Sequence, residues 1–564
     1  MKKFIPAIVA IALILLVLGG SFGVKLLERF SYSKEKQDLE EYYGLSDAGD
    51  DAAAIILQNE RIDIQAKLIE GRCYMNIEDV QNLLNERFYF DRNESLLLYT
   101  TPTEKIITVV GTDEYSVNEQ GIKMDYTIAV LQNDTLYVAL DFVKQYTNFS
   151  YELFTEPNRI QLRTQWGSRE SASIKKTTSL RVKGGIKSPI LRELEEQETV
   201  TVLEEMETWT KVKTTDALIG YVENKYLKDR TTEEEIAVAD YEEPEYTSIQ
   251  RDYKINLGWH AVYTESGNDT FDEVVNGTGT MNVISPTWFS LEGSEGDFKA
   301  IPSYEYVKKA HSRNMEVWAL IENISLECNT YEVLSYTSKR EKLIHNLMSY
   351  VLEYDIDGIN VDFETLSKDT GEHFTQFLRE LSIACRLNGI VLSVDNYVPK
   401  ESSAHYNRKE QGVIADYVII MGYDEHWGSG GVAGSVASIG FVRDGIEKTL
   451  EDVPAQKVIN ALPFYTRVWK TKDGEVTSEA LGMEAAAAFI AKYSVPTVWD
   501  EETCQNYGEI QMGDTLYQVW LEDAASIETK LTVMKTYNIG GVAAWKLGHE
   551  DKAIWDVIDA FVKS

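Results

Sequence analysis

Tyr354-Asp355-Ile356-Asp357-Gly358-Ile359-Asn360-Val361-Asp362-Phe363-Glu364 is the stretch on which the fold turns. It reads as a buried strand with acids gathered at its end. Successive side chains of a strand point to opposite faces. Asn360, Asp362 and Glu364 therefore share one face, while Ile359, Val361 and Phe363 line the other. Two carboxylates and an amide side by side are costly unless they are paired or at work. The arrangement suits proton transfer.

Outward from this stretch, apolar strand-like runs alternate with helical patterns. The strands read as Lys254–Trp259, Met281–Ser285, Glu316–Ile321, Gly358–Glu364, Val391–Tyr397, Tyr417–Asp424, Lys457–Tyr465 and Gly541–Leu547. Helical stretches such as Ser303–Arg313, Ser338–Glu353 and Gly371–Leu387 lie between them. This α/β pattern predicts a (β/α)8 TIM barrel over residues 251–564. Near-continuous apolar runs are what parallel strands covered on both faces require. Active sites of this fold lie at the C-terminal strand ends. There the sequence places Trp259, Glu322-Asn323, Asp362 and Glu364, Asp395-Asn396-Tyr397, Met421-Gly422-Tyr423-Asp424, Tyr465 with Arg467 just beyond, and Trp545.

Asp357-Gly358-Ile359-Asn360-Val361-Asp362-Phe363-Glu364 resembles the strand-four signature of glycoside hydrolase family 18, Asp-Gly-x-Asp-x-Asp-x-Glu. Met421-Gly422-Tyr423-Asp424 is similar to that family's strand-six Met-x-Tyr-Asp, and Trp545 to its strand-eight tryptophan. Leu462-Pro463-Phe464-Tyr465-Thr466-Arg467 and Trp520-Leu521-Glu522-Asp523-Ala524 look most like the bacterial branch of spore-germination and cortex-lytic glycosidases. The chain departs from the family pattern at Asn360. An amide cannot share a proton with Asp362, but it can donate a hydrogen bond and hold it.

The resemblance implies a retaining, substrate-assisted glycosidase, one of the exceptions to the two-carboxylate scheme. Glu364 would protonate the leaving oxygen and then deprotonate water. Asp362 would orient the acetamido group and stabilise the oxazolinium. Tyr423 would donate to the acetamido oxygen, Trp545 would floor the sugar ring, and Asp424 would tune Tyr423. Met421, Trp259, Tyr465, Arg467 and Asn396 are further candidates for sugar contact. No metal or organic cofactor is implied. The implied substrate is an N-acetylglucosamine polymer, peptidoglycan before chitin. A lectin-like binder or a vestigial envelope scaffold remains open, although lectin-like members typically lose the acid at the position of Glu364.

Asp and Glu number 91 against 55 Lys and Arg, for a net charge of -36, which argues against a nucleic-acid partner. Four dispersed cysteines and seven histidines form no ligand spacing, so no metal site is expected. Met1-Lys2-Lys3 precedes an apolar run from Phe4 to Val24. Residues 1–27 therefore read as a single-pass membrane helix with the remainder outside, or as a signal segment if Ser21-Phe22-Gly23 is cleaved, giving a secreted protein. Residues 28–58 read as a charged spacer.

Residues 59–165 hold an internal repeat, with Cys73 to Val80 aligning on Leu136 to Val143. It resembles the stalk domain named after the copper amine oxidase N-terminal domain, which implies no copper site. Residues 170–229 carry short alternating strands, and their Trp209-Thr210-Lys211-Val212 and Gly220-Tyr221-Val222 look like a bacterial SH3-like all-β barrel. Residues 231–250 carry seven acids and no base, which predicts a linker.

Overall fold

A computed structural model describes residues 29–236 and 241–563. The expected membrane helix falls outside them. Among the described residues no helix is long and apolar enough to cross a membrane. The chain divides into two compact units.

The larger unit comprises Tyr89–Ile107, Ser116–Gln120 and the chain from Pro244 onward. Its centre is a closed parallel barrel of β1 (Ile255–His260), β2 (Val283–Pro286), β3 (Glu316–Glu322), β4 (Gly358–Asp362), β5 (Val391–Tyr397), β6 (Tyr417–Met421), β7 (Val458–Pro463) and β8 (Gly541–Trp545). Each strand pairs with its sequence neighbours, and β1 closes on β8. Inside the barrel pack Leu257, Trp259, Trp318, Leu320, Tyr417 and Ile419. Ile359, Val361 and Phe363 face outward and meet the helices. Helix Gly371–Asn388 presents Phe374, Phe377, Leu378, Leu381 and Cys385 to that layer, the spacing of one helical face. The helix stops at Gly389, whose φ of 70° suits glycine best. Gly358 answers a different need, because a Cβ there would come within 2.6 Å of the Trp318 ring.

Two features of this unit were not expected. Residues Tyr465–Leu521, between β7 and β8, form a separate five-stranded antiparallel sheet with a helix, Met483–Tyr493. The sequence left this insert unassigned. The second feature is a hairpin from the repeat region, Tyr89–Asp91 and Leu96–Thr100, which packs within the barrel unit. Helix Thr337–Glu353 has no cap from its own Tyr336. Asp91 supplies one, its Oδ2 accepting from the backbone N–H and the hydroxyl of Thr337, each at 2.6 Å. A carboxylate there satisfies an otherwise orphaned N–H and complements the helix dipole. Beside it, the buried Arg340 pairs with Glu380 at 2.9 Å and donates to the Tyr89 hydroxyl. Burial holds His373 down at about 4, so the neutral ring can accept from Tyr89 at 2.7 Å.

The stretch 231–250 is only partly a free linker. Residues 231–234 complete the strand Leu227–Glu234. Tyr246 packs on the barrel's outer core, and Ile249 N–H donates to Asp416 at 2.6 Å.

In the smaller unit, a seven-stranded sheet joins the two repeat copies. Strands Arg72–Asn76 and Thr135–Ala139 pair antiparallel with Met75 opposite Val138, the residues that the internal alignment equates. Residues 52–57, expected in the spacer, form a buried strand of this sheet. A second seven-stranded sheet carries the four short strands expected of the SH3-like segment. Parts of the remaining spacer are also tied down. Ile190 N–H donates to Glu35 O, Gln37 N–H donates to Ile190 O, and Tyr43 and Leu45 enter the SH3-like core.

Candidate active site

At the C-terminal end of the barrel lies a cavity of about 150 Å3 lined by Asp362, Glu364, Asp395, Asp424, Trp259, Tyr397, Tyr423, Trp545, Met421 and Ile324. Four carboxyl groups face it, and among the described residues no basic side chain lines it. A longer groove of about 500 Å3 shares Ile324 and Glu364 and runs past Leu326 and Tyr331.

Glu364 sits two residues beyond the last ladder residue of β4. Its backbone is clamped by Asn323 at the end of β3: Glu364 N–H donates to Asn323 Oδ1 at 2.7 Å, and Asn323 Nδ2 donates to Glu364 O at 3.0 Å. The next residue, Thr365, has a φ of 53°, rare for a β-branched side chain. Such strain persists where surroundings over-determine it, as the Asn323 clamp does here. The Tyr397 hydroxyl accepts from Thr365 N–H at 3.2 Å and donates to Glu364 Oε2 at 2.6 Å. Burial raises the Glu364 pKa; the Tyr397 bond opposes this, while Asp424 and Glu322 add to it. The carboxyl is thereby biased toward the protonated form that a general acid needs.

Asp362 and Asp395 are both buried at the cavity wall. Burial, then Asp395, Glu364 and Glu322, push Asp362 well above the ordinary carboxylate range. Burial and Glu364 do the same to Asp395, against the hydrogen bond from Asn360. Asp362 Oδ1 is fully buried and has no hydrogen-bond partner among the described residues, so that oxygen is unsatisfied inside the wall of the cavity. Burial also raises Tyr423, keeping its phenol a proton donor. Trp259 and Trp545 meet edge to face at 5.9 Å.

Asn360, Asp362, Glu364, Trp259, Met421, Tyr423, Asp424 and Trp545 thus gather in or directly beneath one cavity. Tyr465 stands behind it, donating to Asp424 Oδ1 at 2.6 Å and touching Tyr423 edge-on. Arg467 is outside the lining: it lies on the first strand of the insert and donates to Ser478 at 3.1 Å. Asn396 points away from the cavity, into the helix layer, where its amide exchanges hydrogen bonds with Gln411 at 2.6 and 3.2 Å. Strand alternation explains this placement, because Asp395 and Tyr397 occupy the inward face and Asn396 the outward one. The reasoning that groups residues 360, 362 and 364 selects Asp395 and Tyr397 on β5; the sequence reading placed both at the end of that strand but took Asn396 as its candidate for sugar contact. Among the described residues no group of three or more acids, histidines or cysteines could hold a metal ion.

Residues 254–550 match glycosyl hydrolases family 18, residues 176–228 the bacterial SH3 domain, and residues 56–158 the copper amine oxidase N-terminal domain. The first match takes in more than half of the chain: the chain belongs to glycosyl hydrolases family 18, and its barrel is a glycosidase domain. It is 31% identical over 240 residues to the cortical fragment-lytic enzyme of Bacillus anthracis, covering 40% of this chain and 55% of that one. The chain thus spans about half the length of that relative. The glycosylase YvbX of Bacillus subtilis is 25% identical over 312 residues, 52% of this chain and 89% of its own. The spore cortex-lytic enzyme SleL of Bacillus cereus is a solved structure at 25% identity and a TM-score of 0.49, covering 58% of this chain and 78% of that one.

Proposed function

We propose that the protein is a cell-envelope glycosidase that cleaves β-linked N-acetylglucosamine polymers, peptidoglycan in preference to chitin, with retention at the anomeric carbon. One observation carries the reading: among the described residues, four carboxyls and no base line a single aromatic cavity, with Glu364 Oε2 accepting from Tyr397. Such a site stabilises positive charge on a sugar and keeps a proton available for the leaving group.

In the first step the substrate's acetamido oxygen bonds to its own anomeric carbon. The glycosidic C–O bond breaks as Glu364 gives its proton to the leaving oxygen. Asp362 faces the resulting oxazolinium, and Tyr423 donates to the acetamido oxygen. Water then attacks the same carbon, gives its proton to Glu364 and reopens the ring. Trp545 and Trp259 supply the apolar wall. Met421 fills the base of the cavity, and Asp424 and Tyr465 act behind Tyr423.

Residues 1–27 are proposed as a membrane anchor that leaves the barrel outside the cell. Lys2, Lys3 and the apolar run that follows support this. The stalk-like and SH3-like segments would then hold the enzyme at the wall. Peptidoglycan as substrate is supported by this layout and by the cortical fragment-lytic relative.

The test is digestion of purified cell wall and colloidal chitin side by side by the full chain, with products analysed by mass and anomeric form. Muropeptides carrying a retained reducing-end N-acetylglucosamine are expected. Chitin oligomers without muropeptides would overturn the choice of polymer.

A further inference from the structure

Asn360 was expected to hold Asp362 by donating to it, and the structure gives its amide other partners. Its Oδ1 accepts from Trp259 Nε1 at 2.8 Å and from Ser285 Oγ at 3.2 Å. Its Nδ2 donates to Ser393 Oγ at 3.1 Å and to Asp395 Oδ1 at 2.8 Å. An amide offers two acceptor sites and two donors, so this one is saturated. Nothing is left for Asp362.

The parallel register pairs Asn360 with Ser393 and Val361 with Val394. One residue further on, it brings Asp395 beside Asp362, and both line the cavity. Neighbouring strands of a sheet lie about 4.8 Å apart. An acid at position 360 would set two carboxylates at hydrogen-bond distance where Asn360 now donates to Asp395. The amide on β4 and the acid on β5 therefore form a matched exchange.

We propose that Asp395 is a positioning residue for the glycosidase reaction, supplying from β5 the second carboxyl that β4 lacks and sharing one proton with Asp362. The inference rests on the glycosidase reading above. Among the described residues, the titratable groups facing the pair are Glu322 from β3, Glu364 after β4, Tyr397 from β5, Tyr406 beyond it, Tyr423 and Asp424 after β6, and Tyr465 behind them. None is a cation, so two adjacent buried carboxyls have no counter-charge that would let both ionise. Burial raises both, in agreement. As positive charge builds on the sugar, the shared proton settles on Asp395 and leaves Asp362 fully anionic. It returns when water discharges the intermediate. No proton is gained or lost by the pair, and Asp395 makes no bond to substrate.

The experiment compares Asp395→Asn with the exchange Asn360→Asp/Asp395→Asn, using pH–rate profiles on an N-acetylglucosamine tetramer. Asp395→Asn should lower kcat at least about tenfold, leave KM within about twofold and move the acid limb to lower pH. The exchange should recover most of the lost kcat and the original limb. Wild-type kcat and profile in Asp395→Asn would overturn the proposal. So would a loss that the exchange does not recover.

A second readout needs no turnover. In the Glu364→Gln background at neutral pH, the infrared carbonyl band of a protonated carboxyl should be present, and adding Asp395→Asn should shift its frequency or remove it. A band that stays unshifted, or that is never there, counts against the shared proton. A wild-type chain that cleaves no oligomer refutes the glycosidase reading, and the infrared pair still decides the proton.

Discussion

Tyr397 determines which oxygen of Glu364 can carry a proton. Its hydroxyl is committed as an acceptor to Thr365 N–H, so its own hydrogen points at Glu364 Oε2, and Oε1 is left for the acid proton. Because that bond lowers the Glu364 pKa, Tyr397→Phe should raise it. The alkaline limb of the kcat pH profile, where the general acid ionises, should then move to higher pH. An unmoved limb would show that Tyr397 does not bear on Glu364. The same carboxyl has a consequence for stability. Its folded pKa lies above the unfolded value of about 4.3, so its contribution is full below that value and is lost as pH rises toward the folded pKa. Glu364→Gln removes this loss. Its Tm should exceed that of the wild type at pH 7 and match it near about pH 4. Equal Tm values at both pH values would contradict the buried, proton-retaining carboxyl.

At the scale of elements, the eight strands were legible because parallel strands covered on both faces must be apolar almost throughout, as Val391–Val394 and Tyr417–Met421 are. Their ends were less so. Glu364, Tyr423 and Asp424 lie past the last ladder residues, where local patterning has little to fix. The insert was missed because its strands are half exposed and alternate with polar residues. Asp473-Gly474, between the paired Lys472 and Glu475, was a hairpin signal in plain view. The Asp91 cap left no sequence trace, since it meets a helix 246 residues away. Asp91→Ala removes a buried charged acceptor from the first turn of Thr337–Glu353 and should cost about 1–3 kcal/mol in urea unfolding. A change within about 0.5 kcal/mol would show the cap to be incidental.

At the scale of the whole molecule, the barrel's unit is not a simple C-terminal block, because Tyr89–Ile107 belongs to it. A fragment beginning at Tyr241 should still cleave soluble oligomers, since every cavity-lining residue lies within it. It should also unfold at a lower temperature than the full chain, having lost Asp91 and Tyr89. Equal melting temperatures would show that the hairpin adds nothing to the barrel. The proposed role of Glu364 as acid and base of a retaining glycosidase is the central claim. The most direct measurement follows an N-acetylglucosamine tetramer by NMR during turnover by the full chain and by Glu364→Gln. The β-anomer should appear first with the wild type. Glu364→Gln should lose at least about 100-fold in kcat while still binding the tetramer. Wild-type turnover by Glu364→Gln, or the α-anomer as first product, would contradict the assignment.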